Sequence, residues 1–186
     1  MNGRLPFALI MSSVLLAWGC GNSSRQNVPA SEGAVEYSIP AGWIMETPSM
    51  ELRKGQYRLP RAEGDAEDAV MAVYHFPGQG GSIQSNIDRW INQFTTDDGS
   101  PVTDAAQIEK KPVNGETVII VDVSGTYSAS MGPMAGGASK KPGYRMLGAI
   151  VDTKVGAWFF KLTGPQNTVA RWEESFTEFV NSLRIG

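Results

Sequence analysis

The stretch from residue 107 to residue 127 reads QIEKKPV (Gln107–Val113), NG (Asn114–Gly115), ETVIIVDVSGTY (Glu116–Tyr127). Asn-Gly between two such runs is the strongest short-range hairpin signal, because the tight turn that suits strand twist needs positive φ at both central residues. The segment therefore predicts two antiparallel strands. A second hairpin follows, with Tyr144–Asp152 and Ala157–Thr163 turning near Gly156. In its second arm Trp158, Phe160 and Leu162 share one face and Lys161 points the other way.

Working back toward the N-terminus, Ala69–Phe76 is a strand with Val70, Ala72, Tyr74 and Phe76 on one face, ended by Pro77 and Gly78. Glu51–Leu59 ends at Pro60, and Val35–Ile39 is stopped by Pro40-Ala41-Gly42. Ile83, Ile87, Trp90, Ile91 and Phe94 fall at helical spacing behind Ser82, a natural N-cap. Val169, Trp172, Phe176, Phe179 and Leu183 make a second apolar stripe after Gly164-Pro165. The order is three strands, a helix, four strands, a helix. With two hairpins and no repeated βαβ unit, it predicts an α+β fold: a mainly antiparallel sheet of about six to seven strands packed with two amphipathic helices. Whether the helices share one face of the sheet is not encoded in their periodicity.

The chain has 186 residues and a mass of 20.1 kDa, which fits one domain plus an export segment. With 41% hydrophobic and 19% charged residues, disorder throughout is excluded. A net charge of -3 supplies no global basic field, so no nucleic-acid partner is expected. One Cys excludes an internal disulfide, and one His excludes any site built on two imidazoles.

Residues 1–19 carry one charge, Arg4, then a short apolar run from Pro6 to Ala17, and read as a signal peptide. Leu15-Leu16-Ala17-Trp18-Gly19-Cys20 resembles a bacterial lipoprotein signal, which implies lipidation of Cys20. Ala17-Trp18-Gly19 also fits ordinary signal cleavage, and both routes cut before Cys20 and export the chain. A soluble product would carry an unpaired Cys in an oxidising compartment. Gly21 after the Cys resembles lipoproteins sorted to an outer membrane, where the host has one. Removing residues 1–19 takes Arg4 and no acid, so the net charge moves from -3 to -4; the lipid, not surface charge, would hold the chain to a membrane. Residues 20–33 read as a flexible tether and 34–186 as a single α+β domain.

The strand and helix order is similar to that of the PsbP-like family. Tyr37-Ser-Ile-Pro-Ala-Gly-Trp43 matches its opening pattern, and Trp172, Phe176, Phe179, Ser182 and Leu183 match its closing helix. Residues 80–94 and 121–164 look more like uncharacterised bacterial lipoproteins. The resemblance implies an antiparallel sheet sandwiched by helices, in a fold group made mostly of assembly or binding subunits. One member is an extrinsic subunit of the photosynthetic oxygen-evolving complex, although nothing in this chain points to photosynthesis.

Candidate chemistry is sparse. Gly78–Ser82 lies between a strand and a helix but lacks the spacing and the Lys of a phosphate-binding P-loop. His75 has a reference pKa suited to a general base, but no Gly-x-Ser-x-Gly nucleophile motif accompanies it. Glu63, Asp65, Glu67 and Asp68 cluster without the pattern of a calcium loop and read as a solvated turn, as do Asp97 and Asp98. Trp43, Trp90, Trp158 and Trp172 read as core rather than as sugar-stacking platforms. Residues 128–143 show no periodicity and read as a long loop, with Met131, Met134, Lys140 and Lys141 as the candidate partner contacts. Met131 and Met134 would need Met146 or His75 to complete a copper site.

The expectation from sequence is a lipid-anchored, non-catalytic envelope domain, without cofactor, that binds a protein partner as an accessory subunit of a membrane assembly. A periplasmic carrier of a small ligand or metal, and a hydrolase, are the alternatives.

Overall fold

The computed structural model describes residues 35–78, 81–129 and 139–186. The signal segment, Cys20, the tether, Met131 and Met134 lie outside the described residues. Ten strands and three helices follow in the order β1 (Val35–Glu36), β2 (Ile44–Glu46), β3 (Arg53–Leu59), β4 (Ala69–Phe76), α1 (Ile83–Ile91), β5 (Phe94–Thr95), β6 (Gln107–Val113), β7 (Glu116–Ala129), β8 (Ser139–Val151), β9 (Ala157–Pro165), α2 (Gln166–Arg171), α3 (Glu173–Asn181) and β10 (Arg184–Ile185). Eight strands form one sheet in the order β2-β3-β4-β9-β8-β7-β5, with β6 also on β7, and every pairing in it is antiparallel. The fold is α+β. Of the four strands of two or three residues, β2, β5 and β10 left no periodic signal in the sequence; β10 pairs with β1 to join the two ends of the described chain.

The Asn-Gly hairpin forms as read: Val113 pairs with Glu116, and Asn114 and Gly115 adopt φ of 48° and 90°. The sequence loop 128–143 is shorter than expected. β7 continues to Ala129, and β8 already includes Lys140 and Lys141, which pair with Ser128 and Tyr127. An irregularity between Gly125 and Tyr127 shifts the register there, and such a bulge erases the alternation by which a strand is recognised.

Each face of the sheet carries a different helical layer. On one face, α1 lays Ile87, Trp90 and Ile91 over Val121, Val123, Met146, Ile150 and Phe159. Ser82 caps α1 by accepting the Ser85 N–H at 3.1 Å. The other face packs Tyr57, Met71, Val73, Phe160 and Leu162 under Val169, Phe176, Phe179 and Leu183, with Tyr37 and Trp43 closing the layer. Trp43 stacks on Phe179 and donates its indole N–H to Ser175 at 3.0 Å.

The closing helix is two helices rather than one. Trp172 leaves helical geometry at φ -100°, ψ 6°, and its indole N–H donates to the Pro60 carbonyl at 2.8 Å. Its ring lies where a Cβ on Gly42 would sit, 2.7 Å away. The apolar stripe runs through this break, so its spacing alone reads as one helix.

Candidate functional site

α1 covers only half of its face. The other half, from β2 to β4 and the near edge of β9, has no helix above it among the described residues and carries polar side chains. Pairing across the sheet sets one row as Gln56, Ala72, Lys161 and Gly148. Gly148 lets Trp90 approach, since a Cβ there would lie 2.4 Å from the indole ring. Ala72, the small residue between Gln56 and Lys161, leaves a dip. The result is a cleft of about 360 Å³ floored by Val70, Ala72 and Thr163. Its walls are Arg53, Tyr74, Tyr127, Tyr144, Lys141 and Lys161.

Charges in and beside the cleft divide into two groups. Glu67 accepts from Lys141 Nζ at 2.7 and 2.9 Å, and this bond with the Tyr144 hydroxyl holds its carboxyl below the usual range. Burial and the adjacent Glu67 push the Tyr144 hydroxyl upward. Asp68 accepts from the Arg61 N–H at 2.8 Å and from Arg58 at 3.0 Å, and Arg58 also meets Glu46 at 3.0 Å. Every acid at the cleft therefore has its cation.

Arg53 and Lys161 are different: among the described residues neither has a carboxylate partner. Arg53 donates Nε to the Tyr74 hydroxyl at 3.1 Å, and one terminal nitrogen to Ser49 at 3.0 Å and Gln56 at 2.5 Å. Half-buried Lys161 donates to the side-chain carbonyl of Gln93, just beyond α1. Its ammonium lies 5.5 Å from the ring centre of Tyr127 and 5.9 Å from that of Trp90. Burial above all, and then the nearby Arg89 and Arg53, push its pKa down to about 7.

The sequence places Lys161 opposite Trp158, and that is where it is. What the sequence missed is that this opposite side is a walled cleft, because α1 comes from far along the chain. Arg53 gave no signal at all. A sequence clue existed only in Lys161 standing in the middle of an otherwise apolar strand.

The sequence candidates lie apart. His75 is on the α3 side of the sheet, stacked on Trp158 at 4.5 Å, and its Nε2 is buried without a hydrogen-bond partner among the described residues. Met146 is fully buried on the α1 side. Those two side chains lie on opposite faces of the sheet, so they cannot both join one metal ion. The acidic turn is structural. Asp65 accepts the Thr168 N–H at 2.8 Å, its hydroxyl at 2.6 Å and the Asn167 amide at 3.2 Å, capping α2 from outside. Lys140 is exposed on β8 and Lys141 is tied to Glu67.

A second hollow, about 350 Å³, lies between β6 and α3 over Ile120, Phe176 and Val180. Two of its acids, Asp122 and Glu173, are neutralised by Arg145 at 2.6 and 2.7 Å, while Glu109 and Lys111 line it with no ion pair among the described residues. It is a seam between helix and sheet, with charges of both signs, whereas the unpaired charges of the Arg53 cleft are both positive.

No protein-family model matches the chain, and no curated protein matches it in sequence. Among solved structures it is similar to the cyanobacterial PsbP protein CyanoP of Synechocystis sp. PCC 6803, at 13% identity and a TM-score of 0.52, covering 91% of this chain and 97% of that one. It is also similar to LpqN of Mycobacterium tuberculosis, described as involved in cell envelope biogenesis, at 9% identity and a TM-score of 0.46, covering 87% and 90%. A Pseudomonas aeruginosa protein of unknown function, PA94, matches at 10% identity and 0.47, covering 86% and 96%. The first of these shows the architecture: this chain has the PsbP-like fold, an antiparallel sheet between helical layers.

Proposed function

We propose that this chain is an exported, non-catalytic binding domain, held at a membrane by a lipid on Cys20, with the Arg53 cleft as its ligand site. The observation that carries the reading is the cleft itself, a ligand-sized depression walled by three tyrosine rings and two cations that have no carboxylate partner among the described residues. The opening twenty residues support export and anchoring.

A second reading, docking of a protein partner as an accessory subunit, is favoured by one surface. Ile44, Met45, Met50 and Leu52 are 39%, 55%, 52% and 58% exposed along the β2 edge of the sheet. Large apolar side chains grouped at a sheet edge suit an adaptable contact. This surface would act with, or in place of, Met131, Met134, Lys140 and Lys141.

The test is intact and native mass spectrometry of the protein taken gently from its host's membranes. A diacyl or triacyl Cys20 with a retained small molecule supports the first reading, and a retained protein supports the second. An unacylated Cys20 removes the anchor from both.

A further inference from the structure

We infer that the Arg53 cleft is an oxyanion site: a carboxylate or phosphate group sits between Arg53 and Lys161, and the body of its carrier lies against the rings of Tyr74 and Tyr127. The inference rests on reading the cleft as the ligand site and names the chemistry it selects.

The argument begins with charge. Facing Lys161 are Ala72 and Tyr74 from β4, Gly148 from β8, Tyr127 from β7, Trp90 and Arg89 from α1, Gln93 after it, and Arg53 from β3. None is an acid. The acids at the cleft, Glu67 and Asp68, are held by Lys141, Arg58 and the Arg61 backbone. Residues 130–138 contain no Asp or Glu. A lysine desolvated beside two arginines is unfavourable in the free protein and becomes favourable when an anion enters.

Geometry agrees with charge. Arg53 is oriented by Tyr74, Ser49 and Gln56 through two of its nitrogens, while its other terminal nitrogen donates to no described residue. A guanidinium fixed in this way keeps one terminal nitrogen to donate to an oxygen of an entering anion. Tyr127 and Tyr144 stack with their planes 5° apart and present apolar area beside the two cations. Because Lys161 loses its proton near pH 7, an entering oxyanion also draws a proton onto it, so binding should take up protons between about pH 7 and 8.5.

The experiment is calorimetric titration of the full chain at pH 7.5 with phenyl phosphate, phenol and dihexanoyl phosphatidic acid, in two buffers of different ionisation enthalpy. Phenyl phosphate is expected to bind with proton uptake, and phenol at least about tenfold more weakly. Lys161→Met and Arg53→Gln should each weaken phenyl phosphate by at least about tenfold, whereas Lys154→Met in the exposed β8–β9 turn should leave it unchanged. Tighter binding of the short-chain lipid assigns a membrane headgroup, and the reverse order assigns a free solute; both keep the oxyanion site. Equal binding of phenol and phenyl phosphate, or affinities within about twofold in both folded variants, overturns the oxyanion assignment and leaves a neutral ligand site. No binding by any of the three overturns the oxyanion site and the cleft reading together.

Discussion

Replacing Lys161 with Met should make the protein more stable at pH 6 and slightly less stable at pH 10. The folded pKa is pushed down from 10.5 to about 7, so the unfolded chain holds a proton that the folded chain has lost between those values. Wild-type stability must therefore rise as pH climbs through that window, and the full penalty applies below pH 7. At about 1.4 kcal/mol per tenfold change in proton affinity, the fall from 10.5 to about 7 corresponds to about 5 kcal/mol at most. Against this, Met loses the Gln93 hydrogen bond, about 1 kcal/mol, and the contacts to Tyr127 and Trp90, about 1 kcal/mol. The net expectation is a gain of about 2–3 kcal/mol at pH 6 and a loss of about 1 kcal/mol at pH 10. Urea unfolding followed by circular dichroism at both pH values measures it. Parallel pH profiles for the two proteins would refute the reasoning, because they would mean that Lys161 has the same proton affinity folded and unfolded.

Three further outcomes are expected. Gly148→Ala places a Cβ 2.4 Å from the Trp90 ring and should cost about 1–3 kcal/mol in urea unfolding, since the indole is held between α1 and Phe159. Asp65→Ala removes the acceptor that caps α2 and should cost about 1 kcal/mol at pH 7. Its bonds from Thr168 hold the Asp65 carboxyl below 3.8, so this stabilisation is present above pH 4 and disappears as pH falls through the lower folded value; pH-dependent melts of the two proteins should converge in acid. Arg145→Met frees Asp122 and Glu173 at the β7–β8–α3 junction and should lower stability by about 1–3 kcal/mol, a loss that double-mutant analysis with Asp122→Asn recovers in part.

The sequence by itself determined the local elements of this protein. Asn114-Gly115 specifies its hairpin because both residues tolerate positive φ, and the stripe from Ile83 to Ile91 specifies α1 because side chains three and four apart share a helix face. Strand alternation likewise told which side of β9 carries Lys161. Only the tertiary structure decided that α1 and α3 cover opposite faces, that Trp172 breaks the closing helix to reach Pro60, and that Asp65 caps α2. It alone brought Arg53 from β3 and Lys161 from β9 to one cleft, where neither has a carboxylate partner among the described residues. Periodicity reports which way a side chain points from its own element; what stands opposite depends on contacts between residues a hundred positions apart, and those are set by packing, not by neighbours in the chain.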